Sequence, residues 1–293
     1  MNTSIGIIGL GRVGLPVSQA YIKAGYQVYG YDIREEALKK FESSGGYSCS
    51  SPEMVTEHCE VVLILVLNDQ QVIEALTGKE GVLQGSDPGK IIVCMSTINR
   101  KNLELMADTC RQKNIHFVDC PFTGGPARIP EANLTLIAAA SPEMLERISP
   151  VLNVIGHMVI AGDRPGLGQA VKHCNQLLVG ATHAAVMEVI TLARELGLDP
   201  EMVCHVVGKG IAGSDYFRLL SDSVLLNTPS PGGLGQMCKD VAIVVNTTRE
   251  VNFPAYLATA MGNYFSAAEE MGLQEKEGAA LIEVVKKIVV RDN

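Results

Sequence analysis

The stretch GLGQAVKHCNQ, residues 166–176, carries Lys172, Asn175 and Gln176 at positions i, i+3 and i+4. On a helix these three share one face, with His173 and Cys174 rotated away from the lysine. An amine can give or take a proton, and a side-chain amide can hold a hydroxyl or carbonyl in place. A lysine with amides beside it, next to a run that becomes apolar, is unusual. A polar helix start facing solvent has the same composition, so this stretch alone leaves both readings open.

A second constellation opens the chain. IGIIGLGRVGLPVSQAYIKAGYQVYGYD, residues 5–32, contains G-x-G-x-x-G at Gly9, Gly11 and Gly14. With 29 glycines in 293 residues the pattern is weak by itself, and its surroundings decide. Gly9 ends an apolar strand pattern, Gly14 opens a helical one, and a second strand ends in Asp32, near the spacing of about 20 residues seen in dinucleotide-binding turns. Gly9 permits the tight turn, Gly11 lets a pyrophosphate approach the backbone, and Gly14 lets helix and strand pack closely. Leu10, Arg12 and Val13 complete the turn, and the helix start offers free N–H groups to phosphate. Asp32 can accept from the adenosine ribose hydroxyls and would repel a 2′-phosphate, which favours NAD over NADP. Arg34 is the residue that could approach such a phosphate.

Two later strand ends belong to the same kind of cleft, because ligands sit beyond the carboxyl ends of parallel strands. They are Leu67–Asn68 and Met95–Ser96–Thr97, with Thr97 the stronger cofactor contact; ordinary loop starts read the same way. DCPFTGG, residues 119–125, lies at another strand end. The Thr123 hydroxyl and the N–H groups of Gly124 and Gly125 could hold a carboxylate, or the three could simply form a turn.

The scaffold for these residues is legible as an alternation. Strands are expected at 4–9, 28–32, 61–67, 91–95, 116–120, 134–139 and 157–162. Helices are expected between them at 13–24, 35–42, 70–76, 100–113 and 142–152, with a Gly- and Ser-rich loop after the second. This is the pattern of a doubly wound parallel sheet with helical crossovers. After GDRPG the strand signals nearly stop. A long helical pattern spans 168–197, with Leu177, Leu178, Ala181, Ala184, Ala185, Val189, Leu192 and Leu196 as its apolar side. Further helices follow near 200–208, 215–226, 236–251, 254–271 and 275–290. The expected organisation is an α/β Rossmann domain over 1–163 and an all-α domain over 164–293, joined by a long interdomain helix. His183 and Glu188, inside the long helix, read as satisfied interior polar residues.

Bulk properties exclude some classes. The formal net charge is −8 with no basic run, which argues against nucleic acid or an anionic membrane as partner. Eight cysteines are scattered singly with no C-x-x-C pair, so a zinc ribbon has no support and no metal is expected. Single thiols and no fitting signal peptide suggest a reducing, cytoplasmic setting. No apolar run is expected to reach membrane-spanning length.

Four motifs in order make the sequence similar to the β-hydroxyacid dehydrogenase family, which includes 3-hydroxyisobutyrate dehydrogenase and tartronate semialdehyde reductase. They are GLGRVG, DCPFTGGPARIPEANLTLIA, GLGQAVKHCNQLL and MCKDVAIV. The resemblance covers essentially the whole chain. It implies a Rossmann domain followed by a helical domain through which oligomers, a homodimer or homotetramer, are built. It implies hydride transfer between NAD (NADP second) and a small β-hydroxy acid or semialdehyde, such as 3-hydroxyisobutyrate, tartronate semialdehyde or threonate. By position Lys172 matches the catalytic lysine and Asn175 the substrate-orienting amide. Thr123, Gly124 and Gly125 match the carboxylate site, and Lys239 a lysine lining the nicotinamide and substrate pocket. Ser214 resembles a pocket position and equally reads as a helix N-cap. Shielding from water and a cationic neighbour such as Lys239 ease the loss of a lysine proton.

The chain departs from the family at Thr123 (usually Ser), at Pro126, Arg128, Ile129 and Pro130 (usually small), and at Ala132 (usually Gly). These changes bear on the substrate. Arg128 could read a second anionic group, or be solvated or paired with Glu131. Competing readings are an oxidative decarboxylase like 6-phosphogluconate dehydrogenase, an imine reductase, and a non-catalytic nucleotide-binding regulatory protein. The first has a His-Asn pair where this chain has Asn175–Gln176. The second usually lacks the lysine. The third carries a basic segment absent here.

Overall fold

The structure, a computed structural model, describes residues 4–289. The chain divides into two compact units, Met1–Lys172 and His173–Asn293. The division falls inside the first turns of the long helix, beyond the GDRPG loop.

The first unit alternates strand and helix. β1 (Ser4–Ile8), α1 (Gly14–Lys23), β2 (Gln27–Tyr31), α2 (Glu35–Ser43), β3 (Tyr47–Ser48), α3 (Pro52–His58), β4 (Val61–Ile64), α4 (Asp69–Thr77), β5 (Ile91–Cys94), α5 (Arg100–Gln112) and β6 (His116–Asp119) follow one another. β7 (Phe122–Thr123), a 3₁₀ turn at Pro126–Glu131, β8 (Leu134–Ala139), α6 (Pro142–Leu152) and β9 (Gly156–Gly162) complete it. One nine-stranded sheet runs β3-β2-β1-β4-β5-β6-β8-β7, with β9 paired to β8. β1 lies between β2 and β4, with Ile7 opposite both Gly30 and Leu63. The strand order reverses there, which opens a crevice beyond the carboxyl ends of β1 and β4.

The expected α/β class is the one observed, with one correction to the sheet. β8 runs antiparallel to β6, at Asp119–Ala139, and to β7, at Thr123–Thr135, while pairing β9 in parallel. The chain between β6 and β8 holds β7 and a 3₁₀ turn rather than a crossover helix, and the antiparallel pairing of β7 with β8 at Phe122–Leu136 and Thr123–Thr135 sets the direction of β8. A second correction concerns the supposed loop after α2, which contains β3 and α3. Ser51 caps α3 by accepting from the Met54 N–H (3.2 Å), and Pro52 occupies its first turn. The S-P-E signal for such a start is present in the sequence.

Alternating side chains on the central strands feed two apolar layers. Ile7, Leu63 and Val93 pack with Val17 and Tyr21 of α1 and Ile148 of α6. Ile8, Ile64 and Ile92 pack with Val55, Val72 and Leu103 on the other face. Burying each such side chain is worth about 1.5–3 kcal/mol, so the strand ends that carry the site sit on a stiff base. At the end of the 3₁₀ turn Ala132 has φ 51°, the left-handed region that favours glycine.

α7 (Leu167–Glu195) begins in the first unit and continues into the second. There it packs with α8 (Pro200–Lys209), α9 (Asp215–Leu226), α10 (Leu234–Glu250), α11 (Tyr256–Glu270), a 3₁₀ turn (Gly278–Leu281) and α12 (Ile282–Val289). The expected last helix from 275 therefore starts later, and its final residue lies outside the described residues. The core gathers Met187, Ile190, Phe217, Val241, Met261 and Phe265.

The buried stripe of α7 is phased differently from the expectation. His183, Ala184, Val186, Met187, Ile190 and Ala193 are buried, whereas Ala185 is exposed and Leu178, Leu192 and Leu196 are 68%, 58% and 64% exposed. Apolar residues lie all round this helix, so periodicity did not select the inward face; packing did. By length and composition α7 could also cross a bilayer, contrary to the expectation that no segment reaches that length. Half of its most apolar window is buried within the protein, as in a core helix.

His183 is 1% exposed; its Nε2 lies 2.9 Å from the Gly278 carbonyl and its Nδ1 3.0 Å from the Tyr216 hydroxyl. It is a satisfied interior residue, as expected. Glu188 is instead exposed and accepts from the Tyr264 hydroxyl. Burial pushes His183 down to about 4, with the Gly278 hydrogen bond opposing. The unfolded chain takes up this proton near pH 6.5 and the folded chain only near 4, so acidification through that window favours unfolding. The contribution reaches on the order of 3 kcal/mol. The denaturation midpoint should fall between pH 6.5 and 4, and this slope should be lost in His183→Gln. Asp119 contributes the opposite slope below about pH 6, so the comparison of the two proteins is the measurement.

Candidate active site

The glycine turn forms as its spacing requires. Gly9 has φ 93° and donates to the Tyr31 carbonyl (2.9 Å). A Cβ on Gly14 would lie 1.8 Å from the Gly9 carbonyl oxygen, so the chain itself demands glycine there. Gly11 differs. A Cβ at Gly11 would meet only the Arg34 Nη2, at 3.5 Å, so nothing in the protein's own packing requires glycine. The space it leaves suits a ligand that approaches the backbone, and Val13, the N-cap of α1, supplies no side-chain cap; of the first-turn N–H groups, that of Leu15 donates to the Gly11 carbonyl (3.1 Å) and Pro16 has none. A dinucleotide pyrophosphate fits both features.

Asp32, at the end of β2, is 7% exposed. Its Oδ2 accepts from the Leu10 N–H (2.8 Å), which ties the acid to the turn. Its oxygens also accept from the Arg34 N–H, Nε and Nη2, each at 2.9 Å. Burial acts to raise its pKa, but the Arg34 side-chain and backbone bonds and the Leu10 bond outweigh that and hold the carboxyl below its ordinary value. The Arg34 side chain is 60% exposed and that of Asp32 only 6%, so the guanidinium is the member of the pair that can swing into water when a ribose hydroxyl takes its place.

The other strand ends show two kinds of duty. Asn68 caps α4 by accepting from the Gln71 N–H (2.9 Å), and the exposed Leu67 donates its N–H to Gln71 Oε1 (2.8 Å). Ser96 is buried and donates to the Val66 carbonyl (2.7 Å), bracing the loop on which Thr97 is half-buried. Thr123 sits on β7, followed by Gly124 (φ 120°) and Gly125 (φ 73°). No atom lies within 4 Å of a Cβ built on Gly125, whereas one built on Gly124 would meet Arg128 Cδ at 3.1 Å and Leu134 Cδ2 at 3.5 Å, so open space borders the turn at Gly125 only. Arg128, on the 3₁₀ turn, is exposed.

Sequence reasoning missed the group that holds the start of α7. Asp119, fully buried at the end of β6, accepts from the Gly166 N–H (2.8 Å), the Gln169 N–H (3.1 Å) and Gln169 Nε2 (3.2 Å). Gln169, also fully buried, donates to the Ser96 carbonyl (3.0 Å) and accepts from the Ile98 N–H (3.1 Å). Burial pushes the Asp119 carboxyl up to about 6, against these bonds that favour its charged form. Lys172 lies one turn beyond Gln169 and is 8% exposed. The solvent-facing reading of this helix start is therefore overturned. The signal available was an acid directly before the CPFTGG loop and a glutamine three positions before the lysine.

In the second unit Asn175 donates through Nδ2 to Gln176 Oε1 (2.9 Å), and Gln176 donates through Nε2 to Asp240 Oδ2 (2.6 Å). Lys239 Nζ lies 2.8 Å from Asp240 Oδ1, and its side chain is 18% exposed. Ser214 caps α9, accepting from the Phe217 N–H (3.1 Å). No cluster of three or more potential metal ligands occurs among the described residues.

Residues 4–162 match the family model described as the NAD binding domain of 6-phosphogluconate dehydrogenase. Residues 166–285 match the model described as NAD-binding of NADP-dependent 3-hydroxyisobutyrate dehydrogenase. An L-threonate dehydrogenase of Cupriavidus necator is 31% identical over 97% of this chain and 96% of its own length.

The chain belongs to the β-hydroxyacid dehydrogenase family.

A 2-(hydroxymethyl)glutarate dehydrogenase of Eubacterium barkeri is 29% identical over 97% of this chain and 95% of its own. The crystal structure of a 3-hydroxyisobutyrate dehydrogenase from Salmonella typhimurium superposes with a TM-score of 0.89 at 27% identity, covering 96% of this chain and 99% of that one. As a β-hydroxyacid dehydrogenase the protein is an NAD(P)-dependent oxidoreductase. The glycine turn, Asp32 and the uncapped start of α1 are the parts of the first unit that would hold the dinucleotide.

Proposed function

We propose that the protein moves a hydride between NAD and a small β-hydroxy acid or its semialdehyde, with Lys172 as the general acid/base. Bound nicotinamide supplies the hydride acceptor or donor. Lys172 takes the hydroxyl proton in oxidation and returns it to the carbonyl oxygen in reduction. Thr123 Oγ1 and the N–H groups of Gly124 and Gly125 hold the substrate carboxylate, and Asn175 orients the reacting end. Ser214 adds a substrate contact beyond its cap bond. Leu10, Arg12, Val13, Leu67, Asn68, Thr97 and Lys239 join the glycines and Asp32 around the cofactor. The observation that carries this reading is the burial of Lys172, one turn past a helix start clamped by Asp119 and Gln169. Burying an amine is costly unless it is paired and hydrogen-bonded, and a lysine held in that way presents its proton at a fixed place.

The substrates named for the relatives, L-threonate and 2-(hydroxymethyl)glutarate, support a small hydroxy acid as the class. The apolar Leu178 and Leu192 left outward on α7 support a homodimer or homotetramer, and eight free cysteines suit a reducing cytoplasm. The test is reduced-nicotinamide formation from a panel of such acids, with NAD and NADP, in the wild type and Asp32→Asn. Wild type should favour NAD, because Asp32 stays charged and repels a 2′-phosphate. Asp32→Asn should lose affinity for NAD and gain it for NADP, on the order of tenfold each way. An unchanged preference would remove Asp32 from the site, and no turnover of any acid would refute the reaction.

A further inference from the structure

We propose that Asp240, acting through Gln176, fixes which way round the Asn175 amide faces, and thereby selects substrates that carry a second hydroxyl. The proposal rests on the reading of Asn175 as a substrate-orienting residue.

The argument is one of donors and acceptors. Asp240 is 1% exposed, and a carboxylate only accepts. Gln176 must therefore present its NH₂ group to it, as the 2.6 Å contact from Nε2 to Oδ2 shows. That leaves Gln176 Oε1 on the other side, where it too can only accept. Asn175 must then present its own NH₂, which it does at 2.9 Å. At the end of the relay away from Asp240, the atom left over is Asn175 Oδ1, an acceptor. Gln176 is 5% exposed and Asn175 half-buried, so the chain of bonds ends at its most open member.

Lys239 Nζ, 2.8 Å from Asp240 Oδ1, supplies the opposite charge. Its direction gives no aligned hydrogen bond, and Oδ1 has none among the described residues. Asp240 and Gln176 are thus positioning residues. They act through Asn175 and touch no reacting atom.

An amide oxygen fixed as an acceptor at a half-buried residue needs a donor. The proton of the reacting carbinol goes to Lys172 in the proposed chemistry, so the donor is a different substrate group. A hydroxyl beside the reacting carbon fits; a methyl group or hydrogen does not. A site built to bond a hydroxyl discriminates against the analogue that lacks it, because its own polar atom is left unpaired.

The matched pair is 2,3-dihydroxypropanoate and 3-hydroxypropanoate, which differ by one hydroxyl. Wild-type kcat/KM should favour the dihydroxy acid by roughly tenfold or more. In Asp240→Asn the residue can present either end of its amide, so both polarities of the relay coexist; Gln176→Met cuts the relay outright. Both variants should bring the ratio to within about threefold of unity, with the loss falling on the dihydroxy acid. A wild-type ratio near one overturns the proposal without any variant. So does a ratio that survives in a folded variant. Equal losses on both acids would mean that Asn175 Oδ1 serves Lys172 instead, which also overturns it. Turnover of neither acid would be a separate failure, that of the hydroxy-acid reading.

Discussion

Lys172→Ala is expected to lower turnover by roughly 10²- to 10⁴-fold, the span that general acid–base catalysis supplies, while dinucleotide binding persists. The separation follows from where the residue sits. The bonds that build the turn, from the Gly9 N–H to the Tyr31 carbonyl and from the Leu10 and Arg34 N–H groups to Asp32, all lie within residues 9–34. The helix should survive the change, since alanine is the best helix former and the clamp of Asp119 on Gly166 and Gln169 stays intact. Lys172→Arg should not restore activity. A guanidinium keeps its proton at any working pH and so cannot act as base. Initial rates and a fluorescence titration with the reduced cofactor would check both halves. Robust turnover in the alanine variant would end the proposed role.

Gly11→Ala and Gly14→Ala should fail in opposite ways, though three residues apart in one motif. At Gly14 a methyl group would sit 1.8 Å from the Gly9 carbonyl oxygen, which is backbone and cannot step aside. The turn must open, and about 3 kcal/mol or more of stability should go with it. At Gly11 a methyl group meets only the far end of the Arg34 side chain at 3.5 Å, an ordinary contact. Gly11→Ala should therefore melt like the wild type. Its methyl group would stand where a pyrophosphate approaches the backbone. NAD affinity should drop roughly 10- to 100-fold, as for loss of hydrogen bonds to a charged group. Thermal melts with and without NAD separate the two cases. If Gly11→Ala keeps full NAD affinity, the cofactor does not lie on this turn.

These contrasts show how far a motif can be read. Spacing together with the flanking strand and helix patterns marked Gly9, Gly11 and Gly14 as a set with distinct duties, and the packed turn adds how much room each has: none for a methyl group at Gly14, ordinary contact at Gly11. Asp32 was legible as a ribose acceptor, but the ion pair with Arg34 was not. Ser214 was legible in two roles, and the coordinates show the cap. The stripe of α7 was misread at Leu178, Ala185, Leu192 and Leu196 because a helix apolar on every side has no preferred face until its neighbours arrive. β8 was found as a strand, but its direction depended on its antiparallel pairing with the short β7 that sequence reasoning did not find.

The sequence by itself determined the Rossmann-type alternation, the passage to an all-helical half, the family, and the residues that could do chemistry. These are written in local patterns: strand and helix periodicity, turn residues, and the order of four motifs. The tertiary structure alone decided that Lys172 is buried, that Asp119 and Gln169 clamp the helix carrying it, and that Gln176 meets Asp240. Each of these joins residues roughly 50 to 75 positions apart or rests on packing around one side chain. No local pattern encodes such a meeting. A buried carboxylate finds its donors only when the sheet and helices have brought distant segments within hydrogen-bond reach, and the cost of leaving it unpaired then holds them there.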